Sequence, residues 1–143
     1  MELKDLIKTE VPTTTVVFRD NIAFTLRYVS RAKIQTIARQ SQVLQYDPKT
    51  RARTPQLDQP KFLRAFLELC VTGWKGVTPR SAATLAPLDL SKIPVDKLDE
   101  ELAFSHENLA ALVAESSELD SFLQDTATDV RTFNPAKEEE EKN

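Results

Sequence analysis

Alternating apolar and polar residues near the start of the chain predict a β-hairpin over residues 13–29. Its first strand, residues 14–18, is rich in β-branched side chains, and residues 19–21 read Arg-Asp-Asn, which favours a turn. In its second strand every other residue is apolar, as expected for a half-buried strand: Ile22, Phe24, Leu26 and Tyr28. Two strands alone are marginal in water, so we expect the hairpin to pack on helices or to pair with a second chain.

Apolar residues at helical spacing then predict four helices. Ser30 is placed to cap the first, which should run to about Leu44, and a proline-containing loop should follow over residues 45–60. The second helix should begin near Pro60 and stop at Gly73.

Three prolines between Thr78 and Glu100 predict an extended, partly ordered connection to the later helices. Ser105 is the expected N-cap of the third helix, which should end at a short break over residues 115–117. The last helix should continue to Val130.

These elements predict an α+β fold that is mainly α-helical, with an N-terminal hairpin packed on about four helices. Residues 1–12 are predicted to form a tether, residues 13–134 a single domain, and residues 135–143 a disordered charged tail. The length of 143 residues agrees with one domain.

The two glycines and the one tryptophan of the chain all lie in Val71-Thr72-Gly73-Trp74-Lys75-Gly76-Val77. We expect both glycines to occupy left-handed or closely approached backbone positions that a Cβ would block. The tryptophan should bury its ring while its indole N–H finds a partner. The segment is therefore interpreted as a helix C-cap with a packed anchor, and direct ligand binding by Trp74 stays open as the alternative.

The formal net charge of −3 argues against a role based on phosphate neutralisation, so nucleic-acid binding is not expected. The charge is nevertheless uneven. Residues 27–53 carry seven Lys and Arg against one acid, Asp47, while residues 96–143 are dominated by Asp and Glu. This asymmetry is typical of scattered solvated charge, and it also allows head-to-tail self-association or docking to a charged partner.

No catalytic residue, metal site or cofactor site is predicted. His106 is the only histidine and should face solvent in a first helical turn, while Cys70 lies among apolar residues as a buried thiol. One His and one Cys cannot build a structural zinc site, and two glycines leave no phosphate-binding loop. The carboxylate pairs Asp99–Glu101 and Glu115–Glu118 are interpreted as surface charge, so no enzyme activity is expected.

The N-terminal residues contain no long apolar stretch of the secretory type, and no window approaches the length of a membrane span. We therefore expect a soluble, cytoplasmic protein without a membrane partner.

Two segments carry a resemblance to a known family. The segment Val71–Val77 contains a Trp-x-Gly-Val pattern, and residues 103–112 read Ala-Phe-Ser-His-Glu-Asn-Leu-Ala-Ala-Leu. Together they resemble the tail assembly chaperones of long-tailed bacteriophages and prophages. The helix around Phe122 and the charged C-terminus ending in Lys-Asn are similar to later elements of that family. The connection over residues 78–103 departs from the family pattern, since it is long, proline-marked and without glycine.

The resemblance implies a non-enzymatic protein of the host cytoplasm that coats the tape-measure protein, keeps its helical stretches soluble and helps to recruit tail-tube subunits. The candidate residues for partner binding or structural anchoring are Trp74, Gly73, Gly76, Phe104 and Phe122. The alternative hypothesis is a nucleic-acid-binding regulator, or a generic helical adaptor, that uses the basic residues 27–53.

Overall fold

A computed structural model describes residues 1–134 of the chain. Strands β1 (Thr13–Arg19) and β2 (Ile22–Arg27) form the predicted hairpin, and their turn contains Asp20 with a positive φ of 44°. A third strand, β5 (Val71–Lys75), pairs antiparallel with β2, so the sheet order is β1-β2-β5. The central strand β2 points Ile22, Phe24 and Leu26 into the core.

The second helix is shorter than predicted. Helix α2 (Gln59–Cys70) begins after Asp58, whose side chain accepts a hydrogen bond from the Lys61 backbone N–H, and it ends at Cys70 rather than at Gly73. The chain continues directly into β5, in which Trp74 lies opposite Phe24. Pairing with this segment satisfies the backbone N–H and C=O groups on the free edge of β2. A longer α2 would leave those groups unpaired, so the segment forms a strand.

The first helix also ends early. Helix α1 (Arg31–Gln40) is capped by Ser30 as predicted, but it stops before Leu44. The residues that follow form a second hairpin, β3 (Gln42–Tyr46) and β4 (Arg53–Leu57), in place of the predicted helix end and loop. Ser41 is buried at the junction, and its carbonyl accepts a hydrogen bond of 2.8 Å from the backbone N–H of Asp58.

The connection after β5 is more ordered than the prolines predict. It contains the short helix α3 (Pro79–Ala82), which has a capping box between Thr78 and Ser81, and two 3-10 turns at Leu90–Lys92 and Val95–Lys97. The backbone N–H of Arg80 donates to the Leu98 carbonyl at 3.1 Å. The extended connection predicted from the sequence is therefore wrong, because local capping and turns satisfy its backbone.

The last two helices match the predicted cap and break. Helix α4 (His106–Glu115) starts after Ser105, and α5 (Ser117–Ala127) starts after Ser116. The last helix was expected to reach Val130, but α5 ends at Ala127 and a 3-10 turn, Val130–Phe133, follows.

One hydrophobic cluster joins the inner face of the sheet to α1, α2, α4 and α5. The architecture is α+β and helix-rich with a small antiparallel sheet, as predicted. Residues 1–12 contain one 3-10 turn, Leu3–Asp5, before β1 begins. The predicted charged tail, residues 135–143, lies outside the described residues.

Candidate protein-binding site

Three of the candidate residues, Trp74, Phe104 and Phe122, belong to one row of aromatic rings. Phe122 lies 4.9 Å from Phe18 between ring centroids, and Phe18 lies 6.3 Å from Phe24. Phe24 continues to Trp74 at 6.5 Å, and Trp74 to Phe104 at 5.3 Å. Most of these contacts have the edge-to-face geometry that aromatic pairs prefer. The row spans the sheet and holds α5 and the start of α4 against it, which is a structural role.

Trp74 is buried as the sequence predicts, with 8% of its surface exposed. Its indole N–H donates to the backbone carbonyl of Leu102 at 2.9 Å. The ring therefore fixes the segment that leads into α4 onto strand β5. A ring so enclosed offers little surface to a ligand.

The two glycines differ, and only Gly76 meets the prediction. Gly76 has a φ of +78°, and a Cβ there would lie 1.8 Å from the backbone oxygen of Asn21 in the β1–β2 turn. Gly73 lies inside β5 at a φ outside the left-handed region, and a Cβ there would meet no atom within 4 Å. The prediction for Gly73 is wrong because it assumed a helix C-cap where the chain forms a strand.

His106 does not face solvent as predicted. It is half-buried, and its Nε2 lies 2.9 Å from the carbonyl oxygen of Val71, so this nitrogen carries the proton and donates. Its ring also contacts Phe104 at 5.2 Å between centroids. The first turn of α4 packs on the junction of α2 and β5, which the sequence pattern alone does not reveal. His106 thus links two elements of the core.

Cys70 is fully buried at the end of α2, as predicted. Burial raises the pKa of its thiol to about 12, because the thiolate would be desolvated. At neutral pH the side chain is therefore an uncharged apolar group rather than a nucleophile.

Three of the four carboxylates in the predicted pairs, Asp99, Glu101 and Glu118, make contacts that hold the fold together. Asp99 pairs with Arg80 at 2.9 Å, and Glu101 accepts a hydrogen bond of 2.6 Å from the backbone N–H of Gly76. Glu118 pairs with Arg19 of β1. Within residues 1–134, no group of three or more His, Cys, Asp or Glu side chains could hold a metal ion.

An open groove lies between the N-terminal segment and the end of the fold. Its cavity volume is about 490 Å³, and its walls are mainly apolar. Residues 7–12 form one side, where the Pro12 carbonyl accepts a hydrogen bond of 2.9 Å from the Tyr28 backbone N–H. The other side is formed by Tyr28 and the Val130–Phe133 turn, with Tyr28 and Phe133 in edge contact at 5.8 Å. Lys8 and Lys33 also line it.

The second unpredicted feature is the β3–β4 hairpin, residues 42–57, which we call the arm. All ten strand residues of the arm are exposed, and its two strands pack mainly on each other. The loop at its tip is closed by hydrogen bonds between Asp47 and Ala52 and between Asp47 and Arg51. The structure therefore divides the basic stretch 27–53 among the end of β2, helix α1 and the arm.

No protein-family model matches this chain, and searches of curated proteins and of solved structures find no match either. None of the helices in the described residues has the length and apolar content that crossing a membrane requires.

Sequence reasoning missed both the groove and the arm. The groove forms where residues 7–12, interpreted as a tether, meet the turn that follows α5, and that meeting depends on the tertiary fold. The sequence does carry a weak signal for the arm, because Val43 and Tyr46 are residue types that strands favour, but Pro48, Pro55 and Pro60 favour a loop.

Proposed function

We propose that this protein is a non-enzymatic tail assembly chaperone of a long-tailed phage or prophage. It binds the tape-measure protein, keeps the helical stretches of that protein soluble and helps to recruit tail-tube subunits in the host cytoplasm. The groove between residues 7–12 and the Val130–Phe133 turn is the observation that carries this proposal. The resemblance of residues 71–77 and 103–112, in that order along the chain, to tail assembly chaperones supports the choice of this family.

The groove suits an amphipathic helix better than a small substrate. Its apolar side chains include several that stay open to solvent, among them Ile7, Val11 and Val130. An amphipathic helix can place apolar side chains at positions i, i+3 or i+4, and i+7 into such a groove. The apolar faces of this protein's own helices are buried in its core, so they are not available to bind a partner helix.

The experiment is co-expression with the tape-measure candidate encoded by a neighbouring reading frame. We expect the partner to become more soluble and to co-purify, with a complex that weakens only modestly as salt is raised, because apolar contacts dominate. Equal solubility with and without this chain, together with no complex, would refute the chaperone assignment.

A pair of matched variants tests the groove itself. Val130 is 61% exposed in the groove, and Val17 is 64% exposed on β1 outside it. Val130→Gln should weaken the complex by roughly fivefold or more, as loss of an apolar anchor does, while Val17→Gln should not. If the two variants bind equally well, the partner uses another surface, although the chaperone assignment would stand.

A further inference from the structure

The arm is an amphipathic ribbon, as its strand register shows. The pairs Gln42–Leu57, Leu44–Pro55 and Tyr46–Arg53 alternate with Val43–Gln56 and Gln45–Thr54. Paired residues of antiparallel strands share a face, and successive residues of one strand point to opposite faces. One face of the arm therefore groups Leu44, Tyr46, Pro55 and Leu57, whereas the other has Val43 as its only apolar residue.

The apolar face of the arm is open to solvent. Leu44 is 66% exposed and Tyr46 is 55% exposed. A two-stranded ribbon is marginally stable on its own, and covering its apolar side would stabilise it. Within the described residues the arm is held at its base by the Ser41–Asp58 hydrogen bond.

The charge of the arm indicates what covers that face. Residues 42–57 contain Lys49, Arg51 and Arg53 against Asp47 alone. A complementary surface should therefore combine exposed apolar side chains with an excess of acids.

Residues 88–102 of the same chain have both properties. Leu88, Val95 and Leu102 are exposed large apolar residues in this segment. The segment carries five Asp and Glu against two lysines. Its 3-10 turns and its hydrogen bonds to Val77 and Trp74 make it an ordered surface rather than a loose loop.

We propose that the apolar face of the arm binds residues 88–102 of a second copy of this protein. The two surfaces are different, so the contact is head-to-tail and repeats from one copy to the next, closing a ring or extending a filament. The proposal concerns the protein alone and stands independently of its function as a chaperone.

The same basic arm is less suited to nucleic acid. Single-stranded nucleic acid is bound by rows of aromatic side chains on which bases stack, and Tyr46 is the only aromatic residue of the arm. The rest of the apolar face is aliphatic or proline. Contact with a second protein copy would bury these aliphatic side chains, whereas binding of phosphate groups would leave them exposed.

The first test measures association of the purified chain by sedimentation velocity from micromolar to high micromolar concentrations. The average mass of wild type should rise with concentration, to a plateau if a ring closes and continuously if a filament extends, and added salt should weaken the association. Leu44→Thr should weaken association by about fivefold or more, while Val43→Thr on the opposite face of the same strand should not. Thermal unfolding should be similar for both variants, since neither side chain belongs to the core.

The second test distinguishes a head-to-tail contact from a symmetric one. Asp96→Lys with Glu100→Lys should abolish association through residues 88–102, with Asp125→Lys on α5 as the exposed control. For this test the arm variant is Leu44→Asp with Tyr46→Asp, which removes the apolar face that Leu44→Thr only weakens. Each defective variant alone should stay monomeric, because the arm variant lacks one surface and the segment variant lacks the other. An equimolar mixture should form a dimer and nothing larger, since one intact interface remains.

Two results would overturn the proposal. Wild type could remain monomeric over the whole concentration range, or Val43→Thr could weaken association as much as Leu44→Thr. In the first case, binding of a fluorescent single-stranded oligonucleotide with a steep salt dependence would assign the arm to nucleic acid instead.

Discussion

Replacing Gly76 with alanine is expected to destabilise the fold strongly, whereas the same change at Gly73 should not. The two positions lie three residues apart around Trp74, and each substitution adds a single methyl group. At Gly76 the backbone has a φ of +78°. Holding alanine in the left-handed region costs about 1–2 kcal/mol.

Steric overlap adds to this cost. The new Cβ would lie 1.8 Å from the Asn21 oxygen and 2.6 Å from the Asn21 carbonyl carbon, both backbone atoms of the β1–β2 turn. The turn cannot rotate away as a side chain could, so β5 and the turn must separate. Overpacking of this kind costs roughly 1–3 kcal/mol. Together the two effects should lower the free energy of unfolding by about 2–5 kcal/mol.

At Gly73 neither effect applies, because the added Cβ meets no atom within 4 Å and the φ is not left-handed. Alanine there reduces the freedom of the unfolded chain, so stability should stay unchanged or rise by up to about 1 kcal/mol.

Urea unfolding of wild type and both variants, followed by the fluorescence of Trp74, measures these differences. Thermal unfolding should show a midpoint lowered by about 10 °C for Gly76→Ala. Equal stability of the two variants, or greater damage at Gly73, would refute this reasoning about backbone conformation.

Further changes test other parts of the structure. Trp74→Ala should cost about 3–5 kcal/mol by emptying a buried aromatic site, and an unchanged denaturation midpoint would contradict this. Cys70 should resist iodoacetamide in the folded protein up to about pH 9, because burial raises its pKa to about 12, and mass spectrometry with and without denaturant checks this. Ser105→Ala should cost about 1 kcal/mol in thermal unfolding, whereas Ser117→Ala, an exposed first-turn control, should cost less. Ending the chain after Asn134 should leave the melting temperature nearly unchanged, since the sequence beyond Ala136 has no apolar residue to bury.

Features set by neighbouring residues could be predicted from the sequence. The β1–β2 hairpin follows from alternation and a turn, and the Ser30 and Ser105 caps follow from side chains that accept backbone hydrogen bonds. Burial of Trp74 and Cys70 follows from their apolar surroundings. These signals act over a few residues, so tertiary contacts do not reverse them.

Features set by distant residues could not be predicted in this way. Val71–Lys75 becomes a strand because β2 offers it an edge, and His106 is half-buried because the carbonyl of Val71 lies beside it. The groove likewise needs residues 7–12 and the Val130–Phe133 turn to meet. Each depends on a contact between parts of the chain that are far apart in sequence.

The position at which the arm joins the core has a consequence for how this protein can diverge. The arm leaves after Ser41 and returns at Asp58, and a single backbone hydrogen bond of 2.8 Å joins these two residues. Asp58 also caps α2, so the core remains closed at this point whatever lies between. Insertions, deletions and changes of charge within residues 42–57 can therefore accumulate without remodelling the interior. The surface chemistry of the arm can evolve at a rate separate from that of the fold.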